Sequence, residues 1–139
     1  MLAGDGRGLV KHRPQSRHRT TANHSPLPPG AWSSQRHWHT GSDEFVYVLS
    51  GEVVLVTDGG EEILRVGDAA GFKAGESNGH CLQNRSDRET QILEIGTRVP
   101  GDTAYYSDID MVAPAGGKPA AAYTRRDGTP YPDIRRRGP

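Results

Sequence analysis

The chain has 139 residues, 33% of them hydrophobic, and 17 basic side chains balance 17 acidic ones for a formal net charge of zero. That length suggests one domain, zero net charge argues against general nucleic-acid affinity, and no apolar run is long enough to cross a bilayer. The single cysteine, Cys81, excludes an internal disulfide and fits a reducing compartment; with no signal-peptide core read after Met1, a cytoplasmic protein is expected.

Residues 1–26 show no hydrophobic period. Arg7, Lys11, Arg13, Arg17 and Arg19 alternate with His12, His18 and His24, and no acid occurs from Gly6 to Ser42. A disordered basic arm is predicted, because so polar a segment cannot offset the entropy of ordering. Leu27-Pro28-Pro29-Gly30 is a turn. Ala31 to His39 reads as extended, with Trp32 as a core anchor and Gln35 sharing the parity of His37 and His39.

From Glu44 to Thr57 the pattern is two strands joined at Leu49-Ser50-Gly51-Glu52. Val46 and Val48 share the face of Glu44, while Phe45, Tyr47 and Leu49 take the other. Both faces are apolar, which predicts a sheet covered on both sides. Asp58-Gly59-Gly60 is a hairpin turn, Glu62 to Val66 returns as a strand, and Ala69 to Phe72 is short and extended. Lys73 to Gly79 is a loop. His80 to Asn84 is a strand with His80 and Leu82 on one face and Cys81, an inert thiol, on the other. Thr90 to Thr97 is a further strand. Short strands separated by frequent turns predict an all-β sandwich or barrel. Beyond Pro100 the pattern weakens: Tyr105-Tyr106 is a short strand or aromatic clasp, and Tyr123 to Tyr131 a last hairpin. Arg135-Arg136-Arg137 is a solvated end.

The chemistry-bearing residues lie in two places. His37 and His39 are two apart, so on a strand both imidazoles point into one space. Glu44 follows, and His80 opens a later strand. Three imidazoles and one carboxylate suit a divalent metal, with Fe, Mn, Ni, Cu and Zn not distinguished. Gln35, Val46 and Leu82 are candidates for the surrounding substrate pocket. No catalytic base stands out; Glu52, Glu62 and Glu94 read as surface carboxylates.

These residues resemble the motifs of the cupin superfamily, in particular its small single-domain bacterial members. His37-x-His39, four residues, Glu44, six residues and Gly51 are similar to the first cupin motif. Gly67-Asp68 through Lys73-Ala74-Gly75 to His80 and Asn84 are similar to the second, with Lys73 where proline is usual and His80 later than the common spacing. The resemblance covers about residues 27–110. It implies a cupin-type β-barrel (double-stranded β-helix, or jelly roll) over 27–110, irregular terminal arms, and a C-terminal extension, 111–139, partly packed on the barrel. It implies a metal held by His37, His39, Glu44 and His80. It allows an enzyme acting on a small oxygenated metabolite (a sugar or sugar-phosphate isomerase, a dioxygenase or a lyase-like protein) and, alternatively, a non-catalytic cupin that binds or senses a small ligand. About six strands between 31 and 97 are few for a closed barrel, so terminal strands or a second copy in a homodimer are expected to cover the edges. No nucleic-acid or membrane partner is expected.

Overall fold

The structure is a computed structural model and describes residues 19–114 and 123–132. Ten strands follow in chain order: β1 (Arg19–Leu27), β2 (His37–His39), β3 (Glu44–Ser50), β4 (Glu52–Thr57), β5 (Gly60–Arg65), β6 (Ala69–Phe72), β7 (Cys81–Gln83), β8 (Thr90–Arg98), β9 (Thr103–Tyr106) and β10 (Val112–Pro114). No helix among the described residues is long and apolar enough to cross a membrane.

One sheet has the order β1-β8-β3-β6, and the others β5-β4-β7 and β10-β9-β2. Every pairing is antiparallel. An isolated bridge from His37 to His80 links β2 to the segment entering β7, and a second sets Trp32 beside Gln83 of β7. The result is the all-β jelly roll expected from the strand and turn pattern. Its core is Leu27, Val46, Val48, Val53, Leu55, Leu64, Leu82 and Ile92, with Val48 and Ile92 fully buried.

Two motif residues of the sequence are structural supports. Gly51 turns β3 into β4 at φ +77°, where any Cβ would stand 2.6 Å from the Thr90 hydroxyl. Asn84 is fully buried. Its amide donates to the carbonyls of Leu27 and Arg88, each at 2.7 Å, and its oxygen accepts from the backbone and hydroxyl of Ser86. It thereby ties the end of β1 to the turn before β8.

Several expectations are corrected. The predicted disordered arm fails from Arg19 onward: β1 pairs along its whole length with β8, from Arg19 opposite Arg98 to Leu27 opposite Thr90. The rest of that arm lies outside the described residues. A strand forms here without a hydrophobic period because its inward positions, Thr21, Asn23 and Ser25, face polar space, and only Leu27 reaches the core. Trp32 is no core anchor, being 52% exposed. Nor is the sheet covered on both sides, since Phe45 and Leu49 are 40% and 44% exposed. Seven strands, β2 to β8, stand where about six were expected, and β1, β9 and β10 extend the sheets as the expected terminal strands. At the C-terminal end, β10 pairs with β9. Thr124 bridges both Val112 and Pro130, the latter pairing being the expected hairpin, closed by the turn at Asp127-Gly128.

Replacing Asn84 by alanine removes the side-chain partner of the buried Leu27 carbonyl and of the Ser86 backbone N–H. Asn84→Ala is expected to lower the unfolding free energy by about 2–4 kcal/mol in urea titrations. A loss under about 0.5 kcal/mol would contradict the role given to this side chain.

Candidate metal centre

β2 places His37 and His39 on one face, with Tyr106 opposite His37 and Ala104 opposite His39. His37 is also bound to His80 by two backbone hydrogen bonds, His37 N to His80 O at 3.1 Å and His80 N to His37 O at 2.9 Å. This reciprocal pair brings the two imidazoles to 5.1 Å between ring centroids, and His39 stands at the same separation from His37. Glu44 enters from the first residue of β3. Opposite it on β8 is Gly96.

His37, His39 and Glu44 each offer a ligand atom, all within 4.8 Å of one another. Nε2 of His39 lies 3.5 Å from one Glu44 oxygen, and Nε2 of His37 lies 3.9 Å from the other. His80 Nε2 is 2.8 Å from that second oxygen. Phe72 stacks on the His80 ring at 3.5 Å with an interplanar angle of 2°, fixing its orientation. Among the described residues, His37, His39 and Glu44 are the group whose ligand atoms lie close enough to share one ion, and His80 joins that group through Glu44. Three imidazoles with one carboxylate and no thiolate also fit a divalent transition metal.

Hydrogen bonds behind the imidazoles set which nitrogen faces inward. His37 Nδ1 lies 3.0 Å from the Gln35 carbonyl and 3.1 Å from the Ser34 hydroxyl. Donation to the carbonyl leaves the Nε2 lone pair toward Glu44. His39 Nδ1 lies 2.6 Å from Asp102 Oδ2, with the same consequence. Asp102 is itself buried and accepts hydrogen bonds from the Gly41 backbone and the Thr40 hydroxyl. Among the described residues, the buried His80 Nδ1 has no hydrogen-bond partner.

The electrostatics favour the ligand protonation states. Burial lowers the His37 pKa and keeps the ring neutral, against the pull of Glu44. Burial alone would raise Glu44, but the His80 hydrogen bond and the neighbouring imidazoles hold its carboxyl below the ordinary range. Burial likewise opposes ionisation of Asp102, and hydrogen bonds from Gly41, Ser42 and His39 outweigh it.

The cluster opens into a cavity of about 1030 Å³. Val46 and Leu82 line it, as do Thr21, Asn23, Glu94 and Tyr106. Gln35 does not line it. Its side chain is exposed, and it serves the site only through its carbonyl. Parity from β2 does not extend back to Gln35, because residues 33–36 are a bend and not a strand. Arg36 and Lys73, the basic residues nearest the ligands in sequence, also lie outside the cavity lining. Arg36 is engaged by Asp108 and Asp58. Cys81 is buried behind the site, and burial raises its thiol pKa, as an inert thiol requires.

Two cavity residues escaped the sequence reading. Asp102 lies beyond the motifs, in the turn before β9, and its sequence surroundings carry no signal. Glu94 was read as a surface carboxylate, although its parity with the buried Ile92 places it inside.

The family model for the cupin domain matches residues 23–96. A solved sugar phosphate isomerase of the cupin superfamily from Silicibacter pomeroyi is 46% identical, with a TM-score of 0.74, over 81% of this chain and 71% of that one. A solved putative sugar phosphate isomerase from Acidithiobacillus ferrooxidans is 26% identical, with a TM-score of 0.65, over 69% of this chain and 61% of that one. An oxalate-binding protein from Thermotoga maritima is 33% identical over 69 residues, which span 50% of this chain and 54% of that relative. With the family match joining the strands that carry His37, His39, Glu44 and His80, the chain belongs to the cupin family.

Proposed function

We propose that this cupin is a metal-dependent enzyme of the isomerase type, acting on a sugar or sugar phosphate. The observation that carries the reading is the cluster of His37, His39 and Glu44, with His80 bonded to Glu44, beside a cavity wall of hydroxyl and amide side chains. The likeness to the Silicibacter pomeroyi sugar phosphate isomerase supports the same substrate class.

His37, His39, Glu44 and His80 would hold the ion. Bound there, a divalent metal would polarise a carbonyl of the substrate. The protein supplies the rest. Tyr106 lies 5.6 Å from the His37 ring, centroid to centroid, and lines the cavity. Burial, together with Tyr123 and Glu44, raises its pKa, so its hydroxyl stays protonated and can donate to a substrate oxygen. Val46 and Leu82 form an apolar flank for the sugar carbons. Arg98 is the cationic Lys or Arg side chain lining the cavity among the described residues, and it is the place for a phosphate at the cavity edge.

A second reading, a non-catalytic binder of a small ligand, draws on the likeness to the oxalate-binding protein. Turnover of an aldose or ketose by the metal-loaded protein favours the enzyme. Saturable binding without product favours the binder. A cytoplasmic setting, in keeping with the free Cys81 thiol, belongs to the same proposal.

Assembly is a further part of it. The outward face of β3 and β8 carries Phe45 opposite Ile95 and Tyr47 opposite Leu93, next to the exposed Leu49. Such a patch suits contact with a second copy.

Elemental analysis after loading with Mn²⁺ and desalting is expected to give about one ion per chain, with most of it lost in His37→Ala and in His80→Ala. Stoichiometric metal in both variants would sink the site. Asp102→Asn, which leaves the ligands in place, is expected to weaken metal affinity about 10–100-fold with an unchanged circular dichroism spectrum. Light scattering at micromolar concentration is expected to give twice the chain mass of 15.1 kDa, and Leu49→Asp to shift it toward one. A wild-type protein at single-chain mass would contradict the homodimer.

A further inference from the structure

The cavity holds a second carboxylate that the metal centre does not use. On the inward face of β8, Thr90 and Ile92 are fully buried, and the next two inward positions are Glu94 and Gly96. The strand therefore passes from core to cavity between Ile92 and Glu94. Its register sets Val46 opposite Glu94 and Glu44 opposite Gly96. Glu44 and Glu94 are thus diagonal neighbours on one face, a relation that places side chains about 7–8 Å apart. Nothing projects from Gly96 between them. A Cβ there would meet the Glu44 Cγ only at 3.9 Å.

The wall around Glu94 is neutral and hydrogen-bonding. Ser25 donates its hydroxyl to one Glu94 oxygen at 2.7 Å, which holds the carboxylate in place. Asn23 lies directly opposite on β1, and Thr21 opposite Gly96; both line the cavity. A carboxylate fixed in this way accepts hydrogen bonds from hydroxyl groups and repels anions.

We propose that Glu94 is the residue that determines the charge of the ligand: it accepts hydroxyls of a neutral carbon chain extending from the metal centre and excludes small dianions from the same space. The assignment rests on the metal-dependent reading above and sharpens it, because it separates polyhydroxylated substrates from dicarboxylates. It also places the neutral, hydroxyl-bearing part of a sugar phosphate against β1 and β8. Any phosphate is then directed toward Arg98, away from the Glu94 oxygens.

The test is calorimetric titration of Mn²⁺-loaded wild type, Glu94→Gln and Glu61→Gln with oxalate and with D-xylose, metal content being measured in each sample. Glu61 lies outside the cavity lining and pairs with Arg85, so its variant controls for net charge. In Glu94→Gln the oxalate dissociation constant is expected to fall about tenfold, the effect of removing one like charge at this range, while that of D-xylose stays equal or rises. Glu61→Gln is expected to match wild type. Oxalate affinity within twofold of wild type in Glu94→Gln overturns the proposal. So does a change of equal sign and size for both probes, which would mark a merely structural role. Failure of the wild type to hold Mn²⁺ would overturn the metal-dependent reading itself, and the dependent assignment with it; that outcome is distinguished by the metal measurement.

Discussion

The two backbone hydrogen bonds between His37 and His80 are the constraint on which the site depends. They link β2 to the segment entering β7, and they set two imidazoles side by side. His39 follows by the two-residue period of β2. Glu44 follows because β3, on the facing sheet, begins where that period ends. His37, His39 and Glu44 are near neighbours in the chain, whereas His80 comes from a distant segment. Only the strand network brings it beside them.

The interior has two ends, and the inward faces of β1, β3 and β8 change character between them. On β3, Glu44 is followed inward by Val46 and Val48. On β8, Ile92 gives way to Glu94 and Gly96, and on β1, Leu27 gives way to Ser25, Asn23 and Thr21. His80 and Leu82 repeat the change beside β7. The registers align these transitions: Val48 pairs with Ile92, which pairs with Ser25, and Glu44 pairs with Gly96, which pairs with Thr21. One end is therefore a packed core that holds the barrel together. The other is a cavity whose groups are free to bind. Burial at the boundary keeps His37 neutral, and opposing hydrogen bonds keep Glu44 ionised, the protonation states that metal ligation requires.

This two-ended interior explains what could be read from the sequence and what could not. The fold class was legible because β3, β4 and β8 keep apolar inward positions and are bounded by turn glycines such as Gly51. The cluster of His37, His39 and Glu44 was legible because the histidine spacing expresses strand period directly and the three match a cupin motif. β1 was not, because most of its inward residues face the cavity, so the polar composition that suggested disorder in fact reflects a polar lining. Gln35 was misplaced because parity was carried through a bend. Trp32 was misplaced because aromatic size was taken as burial, whereas its strand bridge to Gln83 leaves the ring at the surface. Asp102 has no local signal: its role exists only through contact with His39, residues apart in sequence and adjacent in space.

The most direct measurement of the central claim is anomalous X-ray diffraction from crystals of the metal-loaded protein. The account predicts one strong anomalous peak, bonded to Nε2 of His37, His39 and His80 and to a carboxylate oxygen of Glu44, with the Nδ1 atoms of His37 and His39 still on the Gln35 carbonyl and Asp102. A peak at another position, or one in which any two of these four groups take no part, would contradict it.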